Sequence, residues 1–143
     1  MKLLLDTHCF LWWLANDPRL GPAARELVGD GENDVYLSAA SSWEIAIKVS
    51  LGKLTLPEPP DAYVPNRLAA QSMKGLPIEH VHALRVASLP AHHQDPFDRL
   101  IVAQSQIEKL PVLTVNEKIA AYEVEAIWAG RGEPPWDPSA QSS

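Results

Sequence analysis

An α/β fold built on a parallel sheet is the architecture this sequence predicts, and three observations predict it. Leu3-Leu4-Leu5, directly after Lys2, is an apolar run too short for a helix, the signature of a strand buried on both faces. The run stops on Asp6, and the strongly apolar segment Cys9 to Leu14 follows at once. Two further β-prone segments, Val35-Tyr36-Leu37 and Leu110 to Val115, also lead straight toward sequence with helical signals. An acid at the carboxyl end of a central strand stands where open α/β sheets bind ligands.

The elements follow in order. Asp6 has the chemistry of an N-cap for the first helix as well as that of a site residue. Asn16-Asp17-Pro18 and Gly21-Pro22 mark a turn, and Ala23 to Val28 reads as a helix with Pro22 in its first turn. After the loop from Gly29 to Asn33 comes the second strand. Ser41 to Leu51 is helical and stopped by Gly52. Its apolar positions 43, 46, 47 and 51 keep the helical period, and Ile45 and Val49 extend it, predicting burial over most of the helix surface. Ser41 and Glu44 have capping-box spacing, and Glu44 with Lys48 makes a favourable i,i+4 pair. Lys53 to Pro60 is an extended, proline-rich connector. Asp61 to Met73 predicts a helix interrupted at Pro65. Gly75 to Ile78 reads as a third strand. Glu79 to Ser88 reads as a helix with Val81, Leu84 and Val86-Ala87 on its packed face. His92 and His93 fall in a loop and are expected to face solvent.

Asp95-Pro96-Phe97-Asp98 opens the next helix, with Asp95 as N-cap, Pro96 at the first helical position and Asp98 at the third. Phe97, Leu100, Ile101, Gln104 and Ile107 trace its core-facing stripe. The helix dipole favours an acid at position 98 whatever else it does. Asn116-Glu117 follows the strand at 110–115 and opens a short helix, and Glu125 to Trp128 reads as the last strand. The domain is expected to span 1–129. From Gly130 onward Gly, Pro, Ser and Gln dominate, predicting a loosely held tail that carries Trp136.

Bulk properties narrow the class. A chain of 143 residues fits one domain, and a domain of that size buries about 70% of its unfolded surface without needing disulfides or a structural metal. Cys9 is the single cysteine, so no intrachain disulfide forms and a reducing cytoplasm is the expected home. No apolar run reaches membrane-span length, and the N-terminal run lacks a signal-peptide pattern. The formal charge of −6, from 18 acids and 12 bases, argues against a surface that grips nucleic acid throughout. It leaves room for an enzyme that meets phosphates through metal ions.

Four polar positions recur in one setting: Asp6 after the first strand, Glu44 in the helix after the second, Asp98 at a helix start and Asn116 after a later strand. Parallel strands joined by right-handed crossovers would put these ends on one edge. Three carboxylates brought together repel and raise one another's pKa, and a divalent cation removes that conflict. Oxygen ligands favour Mg²⁺ or Mn²⁺ over zinc. His80 and His82 alternate, but no cysteine or further histidine completes a zinc set.

Lys2 to Asp6, the block Ser38 to Lys48 continuing to Gly52-Lys53-Leu54, Asp95-Pro96-Phe97-Asp98-Arg99, and Leu113-Thr114-Val115-Asn116 together resemble the PIN-domain family, and within it the VapC-type toxins of bacterial toxin–antitoxin pairs. The resemblance runs from residue 1 to about 129. It implies a three-layer α/β/α sandwich with a central parallel sheet, metal-dependent RNA cleavage leaving 5′-phosphate and 3′-hydroxyl ends, a cognate VapB-like antitoxin, and homodimerisation. By position, Asp6, Glu44 and Asp98 match the family's acidic ligands, with Mg²⁺ as cofactor and Mn²⁺ able to substitute. Asn116 stands where the family usually has a fourth Asp. An amide oxygen coordinates without adding charge, so Asn116 is a weak or outer-shell ligand and a second metal would bind less well. Thr7, Lys48, Arg99 and Lys118 are the candidate substrate contacts.

Two other functions compete with this one. The first is a PIN domain that binds RNA or antitoxin but cleaves poorly because of Asn116. The second is a phosphohydrolase with Asp6 as covalent nucleophile. That chemistry needs a second acid two residues on, where this chain has His8.

Overall fold

The computed structural model of the chain describes residues 1–137. Five strands, β1 (Lys2–Leu5), β2 (Asp34–Ser38), β3 (Lys74–Leu76), β4 (Val112–Thr114) and β5 (Ala126–Trp128), form one sheet in the order β3-β2-β1-β4-β5. Every neighbouring pair is parallel. β1 is central, and its side chains alternate between two cores. Leu3 and Leu5 pack with Phe10, Leu20, Leu37 and Leu113 on one face. Leu4 packs with Ile101, Val102, Val112 and Ile119 on the other. A strand covered on both sides must be apolar at successive positions, which is why its sequence does not alternate.

The helices supply those covers. α1 (Thr7–Ala15), α2 (Pro22–Gly29) and α4 (Pro60–Ala70) build the first core, and α6 (Pro96–Glu108) and α7 (Glu117–Ala120) the second. α3 (Ala39–Ser50) contributes to both, Ile45 to one and Ala40 to the other. The result is the expected three-layer sandwich. No helix among the described residues is long and apolar enough to cross a membrane.

Several local expectations are corrected. The N-cap of α3 is Ser38, whose hydroxyl accepts from the Ala40 amide and donates to buried Gln104, so Ser41 and Glu44 form no capping box. α3 is also less buried than its pattern implied, with Trp43 49% exposed and Ala46 exposed as well. Pro65 sits inside an unbroken α4. Both Pro65 and Asp61, whose carbonyl the proline leaves without an intrahelical donor, are exposed, so water can take the place of the missing bond.

The helix after β3 is α5 (His80–Arg85), running into a 3₁₀ turn over Val86–Ser88. Val81 and Leu84 face solvent, and His82 is the residue turned inward. The cause is a capping box in which Glu79 and His82 bond each other's backbone amides. The tail is engaged where it is described. Trp136 packs edge-on against Trp128 at 5.3 Å, and Trp128 Nε1 donates to the Gly132 carbonyl. Residues 138–143 of the expected loose tail lie outside the described residues.

Candidate active site

β1 has neighbours from both halves of the chain, β2 and β4, so the order of the sheet reverses around it. The cleft beyond such a reversal is where open α/β sheets place ligands. Asp6 ends β1 there and caps α1, its Oδ1 accepting from the Cys9 amide at 2.8 Å. Its Oδ2 accepts from the Thr114 hydroxyl at the end of β4, at 2.5 Å. Asp6 is 3% exposed, so these bonds replace the water it gives up.

Glu44 reaches the same edge from the second turn of α3. Its Oε1 accepts from the Thr7 hydroxyl at 2.7 Å, and its Oε2 pairs with Lys48 at 2.8 Å. Thr7 and Ser41 hydroxyls lie 2.9 Å apart. Because the carboxylate can only accept, Thr7 spends its proton on Glu44 and Ser41 supplies the one between the hydroxyls.

Asp98 enters from the first turn of α6, after the N-cap Asp95 accepts from the Phe97 and Asp98 amides. Its Oδ2 accepts from the Asn116 side-chain amide at 3.0 Å and faces His93 Nε2 at 3.3 Å. Burial pushes the Asp98 carboxyl up to about 7, with the charges of Asp95, Asp6 and Glu44 adding to it and His8 opposing. Asp98 is therefore close enough to Asp6 and Glu44 to feel both charges.

Residues 3–125 match the PIN domain family. The chain belongs to that family. Over 69 residues this PIN domain is 46% identical to Ribonuclease VapC16 of Mycobacterium tuberculosis (strain ATCC 25618 / H37Rv), covering 46% of this chain and 49% of that protein. The chain thus spans about half the length of this curated relative. Among solved structures, VapBC2 from Rickettsia felis, bound to a DNA fragment from its promoter, superposes with TM-score 0.62 at 17% identity. That match covers 84% of this chain and 92% of the other. FitAB bound to an IR36 DNA fragment gives TM-score 0.62 at 22% identity, covering 89% and 94%. At these identities the likeness is one of fold.

The donor set of the PIN domain fits a hard divalent cation: three carboxylates on one edge, one of them driven toward protonation by its burial and by the acids around it. Both oxygens of Asp6 and of Glu44 have protein partners, whereas Asp98 Oδ1 has none among the described residues. The carboxylates are not already gathered to single-ion spacing. Among the described residues the group of three such donors within 4.8 Å of one another is Glu79, His82 and Glu108. In that group, however, His82 Nδ1 accepts from the Glu79 amide, so Nε2 carries the proton and donates to Glu108 at 2.8 Å. With both ring nitrogens engaged it serves as a tie between α5 and α6. At the strand edge, binding an ion would require Asp6 and Glu44 to share or release a present partner.

The remaining candidates sort by their contacts. Asn116 caps α7 with its own Oδ1, which accepts from the Lys118 amide at 2.9 Å, while its amide nitrogen faces Asp98. The oxygen that could coordinate is thus turned into the backbone. The Arg99 guanidinium donates to the Val86, Pro90 and His93 carbonyls and to the Tyr122 hydroxyl, and so clamps the 86–93 loop. Lys48 is held by Glu44, and Lys118 is exposed beside Asn116. His93 is the residue sequence reasoning missed. Its side chain is 7% exposed, wedged between Asp98 and Tyr122, and burial holds its pKa below the usual imidazole value. No local pattern announces this, because Tyr122 lies 29 residues away.

Proposed function

We propose that this PIN domain is a metal-dependent endoribonuclease acting as the toxin of a toxin–antitoxin pair. The observation that carries the reading is the convergence of Asp6, Glu44 and Asp98 at the sheet's point of reversal, with Asp98 raised to about 7 by burial and acidic neighbours. The name of the relative, a ribonuclease, supports the reaction class. The toxin–antitoxin complexes among the similar folds support the setting.

Asp6, Glu44 and Asp98 would hold the ion, Mg²⁺ with Mn²⁺ as substitute. When bound, such an ion activates water at neutral pH and neutralises charge on a phosphodiester. The chain's own residues do the rest. Thr7 and Lys48 fix the Glu44 carboxylate, Thr114 fixes Asp6, and Lys118, exposed beside Asn116, is our candidate contact for the RNA backbone. Asn116 contributes an amide proton to Asp98 instead of a fourth charge, so the reading is of one strongly held ion.

The partner is an antitoxin segment, and its berth is an open groove between α1 and the 53–57 connector, walled by Leu11, Trp12, Leu54, Leu56, Pro57 and Tyr63. Among the tryptophans of the described residues, Trp12 is the one that lines it. Trp13 donates to Gln71 and Trp43 packs on Phe97. Arg19, Lys48 and Lys53 border the groove with Asp17; Arg19 is paired to Asp17 and Lys48 to Glu44, so the net positive charge along the groove is that of Lys53, which suits an apolar segment bearing an acidic residue. Homodimerisation and a cytoplasmic site of action complete the proposal.

The test is cleavage of a structured RNA under Mg²⁺ titration. Cleavage should rise with Mg²⁺ and vanish in Asp6→Asn with the fold intact by circular dichroism. Wild-type cleavage by that variant, or cleavage indifferent to chelator, refutes the reading.

A further inference from the structure

The hydrogen bonds around Asp98 have fixed directions, and those directions assign a role to His93. Arg99 can only donate, so Tyr122 Oη accepts from its guanidinium at 2.9 Å. Tyr122 is 3% exposed, and its own proton needs an acceptor. Among the described residues that acceptor is His93 Nδ1, at 2.9 Å. The imidazole proton is therefore placed on Nε2, which points at Asp98 Oδ2. The same oxygen receives the Asn116 amide. That amide cannot be flipped without losing two bonds, since its oxygen is taken by the Lys118 backbone. Asp98 is thus gripped through one oxygen by two donors, and its other oxygen has no protein partner among the described residues.

We propose that His93 is a positioning residue: held in its Nε2–H tautomer by Tyr122 and Arg99, it clamps Asp98 Oδ2 together with Asn116 and so presents Oδ1 to the cation. The proposal rests on the nuclease reading for the identity of the ion's task, but not for the clamp itself. It also gives Asn116 a function that an aspartate could not perform, because a carboxylate has no proton to offer Oδ2. Outer-shell hydrogen bonds of this kind fix ligand orientation, and their loss typically weakens metal binding 10- to 100-fold.

The test has two readouts that need no RNA. In ¹⁵N-labelled, metal-free protein, imidazole nitrogen shifts should show His93 protonated on Nε2 and bare on Nδ1. Tyr122→Phe should mix the two tautomers, an effect that mere packing would not produce. Mn²⁺ affinity, read by electron paramagnetic resonance, should fall about tenfold in His93→Phe. It should stay within about twofold of wild type in His93→Gln, which keeps an N–H donor. A proton found on Nδ1, wild-type Mn²⁺ affinity in His93→Phe, or equal loss in His93→Gln overturns the clamp. RNA cleavage measured alongside separates the two ideas. Absent cleavage with His93-dependent Mn²⁺ binding would end the nuclease reading and leave the clamp. Normal cleavage with unaltered Mn²⁺ affinity in His93→Phe would do the reverse.

Discussion

Asp98 concentrates the residue-scale physics. Its folded pKa is about 7, while an unfolded chain titrates it near its ordinary 3.8. Between those values the native state keeps a proton that the unfolded state has lost. Stability of the metal-free protein therefore falls as pH rises from about 4 to about 7, by at most about 4 kcal/mol. Melting scans without metal should show a higher midpoint at pH 5 than at pH 8, and Asp98→Asn should flatten that slope. A slope unchanged in the variant would mean other groups set it. The spacing of Asp95, Pro96 and Asp98 was readable from sequence because a cap and a first turn are local. His93 was not, since its burial depends on Tyr122, which the chain delivers from another element.

Element by element, legibility followed the range of the interaction. β1 declared itself through three successive leucines because both of its faces are covered. Leu4→Ala should cost about 2–5 kcal/mol in denaturant unfolding, as a fully buried leucine in a close-packed layer. The start of α3 was misplaced by three residues because Ser38 and Ser41 are both good caps. Ser38 is the one with Gln104 across from it, and that partner is 66 residues away. α5 misled more deeply: its apolar Val81 and Leu84 face water while His82 is buried, since Glu79 and Glu108 satisfy the ring. For α6, cap and charge can be separated. Asp95→Asn keeps a good N-cap but removes the negative charge beside Asp98, so the Asp98 carboxyl should titrate below 7 in carbon-detected NMR with stability nearly unchanged. Asp95→Ala should lose about 0.5–2 kcal/mol with the cap.

Across the whole molecule, the strand order brings the early and late parts of the chain together at one edge. Gly21 donates its amide to Ala129, and a Cβ at position 21 would lie 2.1 Å from the Gly130 carbonyl oxygen. Gly21→Ala therefore forces backbone apart and should destabilise by about 1–3 kcal/mol, although position 21 belongs to none of the segments that carry Asp6, Glu44 or Asp98. Mn²⁺ should act in the opposite sense. At 100 times its Kd it should add about 2.7 kcal/mol, and Asp98→Asn should erase that gain.

The bond from Thr114 to Asp6 joins residues 108 positions apart. During synthesis Asp6 leaves the ribosome long before Thr114, Asn116 or Tyr122 exist. At about 5–20 residues per second, the edge of the sheet stays half-built for several seconds. Under the nuclease reading proposed above, a chain still being translated would lack a complete acidic edge, and cleavage would begin only after the last strands arrive.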